Sequence, residues 1–275
     1  MLKVRNCFLC FSDLLKFHHN IIFSKKNYLY DICLNCNFVF QNPWPSRKIE
    51  KIYNSYEYWN YGHKASYKSY QLSRSEEAKK RYIELSKYFN KNGSVLEIGC
   101  ANGIFLTEFK KNKWTCMGID PAKEMIEFGI KNYGLNLKCK KIEDLNNKAN
   151  LFDLIYMWGV DGNFYDFKKA YKKIQVSLKK SGIYAFTYQD FKHPINRIFK
   201  SHKKYHHILY HFSKKSIFYL LKNLGFEILE HKLIFQKTKL SHIAKVLRLG
   251  SLFKLLDFSI IVPAISYNLV IAKKT

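Results

Sequence analysis

The chain has 275 residues, of which 47% are hydrophobic and 25% are charged, and its formal net charge is +26 at pH 7. These proportions are those of an ordinary soluble globular protein, and the length suits one large domain or one domain with a small appendage. No signal peptide or spanning helix is indicated, because the longest uncharged apolar run, residues 258–272, contains Pro263 and is shorter than ~20 residues. We expect a cytoplasmic protein, with peripheral membrane contact through residues 243–265 as an alternative.

The positive charge comes mainly from lysine. Only six of the 47 basic residues are arginines, although arginine is better suited to bidentate contacts with phosphates and bases. The lysines occur as scattered pairs, such as Lys110–Lys111 and Lys172–Lys173, rather than as one block. This distribution predicts a solvated, lysine-coated surface, and nucleic-acid binding is the less favoured alternative.

The N-terminal segment 1–45 contains two C-x-x-C pairs, formed by Cys7 with Cys10 and by Cys33 with Cys36. Each pair can direct two thiolates toward one point, and the residues between the pairs are numerous enough for a hairpin that brings them together. Disulfides are the alternative, but a reducing compartment disfavours them. The spacing predicts a zinc ribbon with one structural Zn²⁺ ion. The single cysteines are expected to be buried: Cys100, Cys116 and Cys139.

Residues 46–92 are predicted to form a helical linker or cap. Pro45 breaks the chain, and apolar residues then recur at helical spacing up to Tyr53. A second, charged amphipathic helix is predicted over 72–90, ending before Gly93. The tyrosines and tryptophan of 53–61 are expected to pack between modules, although they could also stack on a ligand.

From residue 94 onward, apolar runs alternate with amphipathic segments. This alternation predicts a parallel sheet with helices on both faces, in which ligands bind at the carboxyl ends of the strands. The predicted strands are 94–99, 115–120, 137–143, 152–158 and 183–190, and the predicted helices are 104–112, 122–134 and 166–182. The chain should close with two further strands, 226–232 and 267–274, and with a helical insertion at about 240–262 between them.

The turn after the first of these strands reads "VLEIGCANGIFL", residues 95–106. A dinucleotide fingerprint would need glycine at the positions of Ala101 and Ile104, so that match is poor. The pattern E-x-G-x-A-x-G suits a smaller adenosyl ligand, because Gly99 and Gly103 allow close backbone approach. Asp120 ends the second strand, where it can accept hydrogen bonds from two vicinal ribose hydroxyls.

These segments resemble the successive motifs of class I S-adenosylmethionine-dependent methyltransferases, namely "VLEIGCANGIFL", "GIDP", "FDLIYMW" and "LKKSGIYAFTYQD". The N-terminal segment, with "DICLNCNFVFQNPWPS", resembles the zinc-ribbon leader of a bacterial branch of that superfamily. Many members of the branch are encoded with polysaccharide, nucleotide-sugar or secondary-metabolite pathways. The resemblance implies a Rossmann-like α/β fold with a seven-stranded sheet, and S-adenosylmethionine as cofactor.

The resemblance also implies roles for individual residues. Gly99, Ala101 and Gly103 match the turn under the methionine part of the cofactor, and Glu97 matches the acid that orders this loop and the amino group. Further cofactor contacts are implied for four residues: Asp120 at the ribose, Ile142 and Glu143 at the adenine, and Trp158 between cofactor and acceptor.

The chain departs from these relatives shortly after the fourth strand. Where many of them read L-E-H, this chain reads Asp161, Gly162 and Asn163, so the histidine often assigned as general base is absent. Methyl transfer from a sulfonium gains much of its rate from alignment, and a base adds a further ~10²–10⁴-fold. The catalytic candidates are Asp161 and His207, and the remaining candidates for a base are His211 and Tyr188.

The sequence thus predicts an S-adenosylmethionine-dependent methyltransferase with a ribbon (1–45), a helical linker (46–92) and a methyltransferase domain (93–275). The predicted acceptor is a small molecule, foremost a hydroxyl of a sugar or glycan precursor. Two alternatives remain: an RNA methyltransferase whose ribbon binds RNA, and a non-catalytic protein that retained the cofactor fold.

Overall fold

A computed structural model describes residues 3–23, 25–46, 67–146, 149–194, 208–239 and 259–275. The N-terminal part forms a four-stranded antiparallel sheet. Its first two strands, β1 (Leu15–Phe23) and β2 (Lys26–Cys33), make the hairpin expected between the two cysteine pairs. β3 (Val39–Gln41) pairs with β2, and the fourth strand, β9 (Tyr210–His211), comes from far along the chain.

The second sheet has seven strands in the order β10-β11-β8-β7-β4-β5-β6. Five of them are parallel: β4 (Ser94–Ile98), β5 (Thr115–Asp120), β6 (Leu137–Cys139), β7 (Phe152–Met157) and β8 (Leu178–Gln189). The closing antiparallel pair is β10 (Phe226–Lys239) and β11 (Ser259–Lys274). The strand order reverses between β4 and β7, so the ligand crevice of such a sheet is expected at their carboxyl ends. The predicted α/β fold with a Rossmann-like sheet is confirmed.

The structure describes five α-helices, which are α1 (Tyr67–Ser86), α2 (Leu106–Lys111), α3 (Lys123–Tyr133), α4 (Phe167–Ser177) and α5 (Lys214–Asn223). Their ends follow from local chemistry. Asp166 caps α4 by accepting from the Lys169 amide, and Ser213 caps α5 in a reciprocal bond with Ser216. α3 ends at Tyr133 and is capped by Gly134, whose φ of +57° suits a left-handed C-terminal cap. No helix in the described part of the chain is both long and apolar enough to cross a membrane.

Several predicted boundaries were wrong. The strand predicted at 137–143 ends at Cys139 and is followed by a 3₁₀ turn, Ile142–Asp144, because β6 lies at the sheet edge and has one neighbouring strand. The helix predicted to run to residue 182 ends at Ser177, where buried Leu178 becomes extended and begins β8. The upstream helix lies over 67–86 rather than 72–90.

The end of the chain also differs from expectation. β10 and β11 are longer than predicted, so residues 259–262 of the predicted helical insertion are strand, and 240–258 lie outside the described residues. The tyrosine-rich stretch 53–61 also lies outside them. Among the single cysteines, Cys100 is buried as expected, Cys116 is half-buried and Cys139 is exposed, since β6 is an edge strand.

The N-terminal sheet shares a hydrophobic core with the larger sheet. The Phe38 ring lies 5.2 Å from those of Phe167 and Phe212. The same buried cluster contains Leu9, Phe40 and three of the N-terminal cysteines, and Cys10 packs against it. β3 and β9 join the two parts through backbone hydrogen bonds. The predicted domain boundary near residue 45 stays a prediction.

Candidate functional site

The turn after β4 has an unusual backbone. Gly99, Ala101 and Gly103 all have positive φ, at +72°, +48° and +73°. A Cβ atom at Gly99 would lie 2.4 Å from Val160 Cγ2, and one at Gly103 would lie 2.8 Å from Leu135 Cδ1. Ala101 adopts the left-handed conformation at a cost of about 1 kcal/mol. The glycines are therefore required both by conformation and by close packing.

Asp120, at the end of β5, holds this turn in place. Its two carboxylate oxygens accept hydrogen bonds from the backbone amides of Ala101, at 3.0 Å, and Ala122, at 2.8 Å. Burial raises the pKa of Asp120, and these two amide hydrogen bonds oppose that rise. Because a carboxylate oxygen has two acceptor positions, each oxygen can still accept one hydrogen bond from a hydroxyl group.

Glu97 is a buried acid in the interior of β4, with 2% of its surface exposed. Burial raises the pKa of its carboxyl to about 8, although the positive charge of Arg81 acts in the opposite direction. Its Oε2 atom is buried without a hydrogen-bond partner among the described residues, and the Tyr156 hydroxyl, which is also buried nearby, lowers the pKa of the carboxyl. An unsatisfied buried carboxyl of this kind is costly unless a ligand completes it.

Arg81, on α1, lies beside Glu97 and was not identified from the sequence. Its guanidinium carbon is 3.7 Å from the centre of the Phe105 ring and 3.9 Å from that of the Trp158 ring. The side chain is only 5% exposed and forms an ion pair with Glu77. Trp158, which was predicted between cofactor and acceptor, thus contacts the segment that precedes the sheet.

The two predicted adenine contacts lie together in the 3₁₀ turn after β6. Ile142 and Glu143 are both buried, and burial raises the pKa of the Glu143 carboxyl. The turn stays close to β5, because the Lys140 amide donates to the Asp120 carbonyl at 3.2 Å. Both residues therefore come shortly after β6, the strand next to β5, which ends at Asp120.

Asp161 follows β7 in the loop that covers the glycine turn through Val160. Burial raises the pKa of its carboxyl to about 7, while hydrogen bonding from the backbone of Gln189, at the end of β8, lowers it. The residue as a whole is half-buried. His207, the other catalytic candidate, lies outside the described residues.

The two remaining candidates for a base are both buried. The Tyr188 hydroxyl is hydrogen-bonded to His231 Nε2 at 2.9 Å, and burial raises its pKa above the ordinary value. His211 lies on β9, with its ring 5.6 Å from that of Tyr30 in the N-terminal sheet. His211 therefore lies in the N-terminal sheet.

The four N-terminal cysteines converge as expected from their spacing. Their Sγ atoms all lie within 4.8 Å of one another, and the pairs Cys7–Cys36 and Cys10–Cys33 are separated by 3.6 and 3.5 Å. Tetrahedral Zn–S bonds of about 2.3 Å require sulfurs about 3.8 Å apart, so the set fits such an ion. The hydrogen bond from Cys36 lowers the pKa of the Cys7 thiol to about 6.

Sequence patterns missed the partners that come from other elements. Arg81 is one of many basic residues on a charged helix, and the only sequence signal that could have singled it out is that arginine is rare in this chain. A pair of adjacent histidines in β1 was also missed: His18 Nδ1 and His19 Nδ1 lie 2.6 Å apart, and the His19 ring stacks on Tyr30 at 4.5 Å.

Comparisons with known proteins agree with the fold. A family model described as a methyltransferase domain matches residues 70–231. The YcgJ protein of Bacillus subtilis is 16% identical with a TM-score of 0.54, over 72% of this chain and 98% of its own. A SAM-dependent methyltransferase from Archaeoglobus fulgidus is 17% identical with a TM-score of 0.53, over 73% and 94%. A search of curated proteins found no significant match.

Proposed function

The chain belongs to the methyltransferase domain family and is an S-adenosylmethionine-dependent methyltransferase, and from this premise we propose which residues bind the cofactor and which acceptor is methylated. The observation that carries the proposal is the carboxyl edge of β4 and β5. There a left-handed glycine turn, a buried acid and an aspartate that fixes the turn are held together. These are the groups expected to meet an adenosyl ligand with an amino-acid tail.

In this proposal the glycine turn passes under the methionine part of the cofactor. Glu97 accepts from the ammonium group, and Asp120 accepts from the ribose hydroxyls. Ile142 and Glu143 contact the adenine, and Trp158 separates the cofactor from the acceptor. When bound, the cofactor supplies an activated methyl group on a positively charged sulfur.

Asp161 is the residue we propose for handling the acceptor proton. The bound cofactor would supply its methyl group to the acceptor oxygen, with the bonding electron pair remaining on sulfur, and Asp161 would accept the proton that the acceptor oxygen loses. A carboxyl with a pKa of about 7 is well matched to this step near neutral pH. Asp161 is half-buried next to a residue that contacts the glycine turn, which is where an acceptor would approach. His207 is retained as the second catalytic candidate on the sequence alone.

We further propose that the four cysteines bind one structural zinc ion and that residues 1–45 form a zinc ribbon. A site closed by four thiolates leaves no open coordination position, so the ion would stabilise this part of the chain rather than take part in methyl transfer. The predicted link with bacterial polysaccharide or secondary-metabolite pathways, and a location in the cytoplasm, belong to the same proposal.

The proposed acceptor is a sugar hydroxyl in a nucleotide-linked or lipid-linked precursor. The test is to supply the protein and labelled S-adenosylmethionine with a cell extract divided into RNA, small-molecule and glycan fractions. We expect label in the small-molecule or glycan fraction and a large loss of label with Asp161→Asn at unchanged cofactor affinity. Label at a defined RNA position would instead support the RNA methyltransferase, and no label in any fraction would support the non-catalytic alternative.

The cofactor assignment has its own test. Asp120→Ala should weaken S-adenosylmethionine binding by ~2 kcal/mol or more, because it removes charge-assisted hydrogen bonds to the ribose. The matched control is Asp144→Ala, which removes the same charge from the exposed end of the 3₁₀ turn. Calorimetry that gave equal affinities for Asp120→Ala and the unaltered protein would reject the assignment.

A further inference from the structure

Three buried side chains around the glycine turn share an uncommon property. Arg81 Nε and Nη1, Glu97 Oε2 and Asn102 Nδ2 are all buried, and none has a hydrogen-bond partner among the described residues. Unsatisfied buried polar atoms are rare in folded proteins, and each is unfavourable for stability by an amount comparable to a lost hydrogen bond. The grouping of these unsatisfied polar atoms around the turn after β4 indicates a binding site for a polar ligand.

The chemistry of these atoms defines that ligand. Arg81 and Asn102 offer hydrogen-bond donors, and Arg81 also carries a positive charge, whereas Glu97 offers an acceptor and a negative charge when ionised. The charges of Arg81 and Glu97 interact: against the effect of burial on each group, the Glu97 charge raises the pKa of Arg81, and the Arg81 charge lowers the pKa of Glu97. A ligand that satisfied all three would carry a carboxylate and an ammonium group close together. That combination is the head group of an α-amino acid.

The position of Arg81 is held firmly enough for such recognition. Its guanidinium lies between the rings of Phe105 and Trp158, and one of its nitrogens is paired with Glu77. Phe105 is two residues beyond Gly103, and Trp158 directly follows β7, so both rings border the switch point of the sheet. Stacking fixes the plane of the guanidinium and leaves Nε and Nη1 available as donors.

We propose that Arg81 of α1 binds the carboxylate of the cofactor's methionine tail and that, with Glu97 on the ammonium, it makes the site selective for the intact amino-acid group. This inference rests on the proposed cofactor site. It assigns a binding role to a helix that precedes the sheet, so α1 becomes part of the cofactor pocket. Removing Arg81 should therefore affect ligands according to whether they carry a carboxylate.

The test compares three ligands by calorimetry on the full chain. They are S-adenosylmethionine, its decarboxylated form and 5′-methylthioadenosine, which lacks the whole amino-acid tail. The unaltered protein should bind the first about 10- to 100-fold more tightly than the second, the factor expected for a charge-assisted hydrogen bond. Arg81→Gln should abolish this preference, and Arg81→Lys should restore part of it.

The matched control is Arg74→Gln, because Arg74 lies on the same helix and pairs with the same Glu77 through its other oxygen, at 2.7 Å. We expect it to keep the full preference for the carboxylate. Unchanged binding of 5′-methylthioadenosine will show that Arg81→Gln is folded. Equal weakening of all three ligands would mean that Arg81 only packs α1 and would overturn the inference. If none of the three ligands bound to the unaltered protein, the proposed cofactor site would be overturned as well.

Discussion

The N-terminal sheet and the carboxyl edge of the seven-stranded sheet differ in how they would use the ligands proposed for them. The N-terminal sheet is too small to cover its own apolar residues: Phe17 and Ile22 of β1 are 57% and 73% exposed. Its four buried or half-buried cysteines occupy positions that would otherwise hold core side chains. A metal ion would supply stability that this part of the chain cannot obtain from burial alone.

The carboxyl edge has the reverse character. There the surrounding core is large, and the fold retains groups that are unfavourable for stability, namely buried Glu97, buried Arg81 and the left-handed Ala101. Strained and unsatisfied groups persist when the rest of the structure holds them, and they are common where ligands bind. With the proposed ligands, the N-terminal region would use its ligand to fold, whereas the carboxyl edge would use its fold to prepare for a ligand.

The largest effect is expected from breaking the cysteine cluster. Cys33→Ser should reduce bound zinc from about one ion per chain to almost none, because three thiolates hold the ion far less tightly than four. Hydrogen exchange should then show loss of protection in β1 and β2 while β4 and β7 stay protected. The measurements are elemental analysis and exchange detected by mass spectrometry.

Cys139→Ser makes the same chemical change at an exposed cysteine and should alter neither the zinc content nor the exchange pattern. Metal-free protein whose N-terminal sheet remains protected would contradict the proposed zinc site. Loss of protection throughout the seven-stranded sheet in Cys33→Ser would show that the shared core makes the two regions one folding unit.

A smaller effect of opposite sign is expected at Glu97. Its pKa in the folded state is about 8, above the ordinary 4.5, so folding takes up a proton between these values. Glu97 therefore causes no loss of stability below pH 4.5, where it is protonated in both states, and a growing loss as the pH rises toward 8. Glu97→Gln should be more stable than the unaltered protein by about 4 kcal/mol at pH 8.

Urea denaturation at pH 4.5, 6 and 8 measures this difference. Glu124→Gln, at an exposed position on α3, provides the control for loss of one negative charge. A stability gain for Glu97→Gln that did not depend on pH would show that the buried charge is not its origin. A loss of stability would mean that Glu97 stabilises Arg81 more than its own burial opposes folding.

The smallest expected effect separates close packing from backbone conformation in the glycine turn. Gly99 and Gly159 have nearly the same φ, +72° and +71°, but a Cβ at Gly99 would overlap Val160 whereas nothing lies within 4 Å of one at Gly159. Both alanine variants share the left-handed penalty of about 1 kcal/mol. Gly99→Ala should be less stable than Gly159→Ala by a further ~2 kcal/mol, which is typical of overpacking.

Thermal or urea unfolding of the two variants measures this difference directly. Equal stabilities would mean that Val160 moves aside at little expense, and the loop that carries Asp161 would then be less firmly attached to the turn than the structure indicates. Cofactor affinity measured on the same samples should fall for Gly99→Ala and stay unchanged for Gly159→Ala.

The sequence by itself determined the features that depend on neighbouring residues. The alternation of apolar runs and amphipathic segments predicted every parallel strand, because burial on both faces imposes a continuous apolar pattern. The glycine turn and Asp120 were recognisable because they lie at strand ends, where backbone conformation restricts the residue type. The four cysteines were recognisable because metal ligands at C-x-x-C spacing lie close in the chain.

Only the tertiary structure decided which distant groups meet. β9 joins the N-terminal sheet across some 170 residues, and its two residues carry no pattern of their own. The lengths of β10 and β11 depend on pairing with each other, which no local propensity encodes. The contacts of Arg81 with Phe105 and Trp158, and its electrostatic interaction with Glu97, likewise depend on where α1 packs, because the energy of a buried charge is set by its surroundings rather than by its neighbours in sequence.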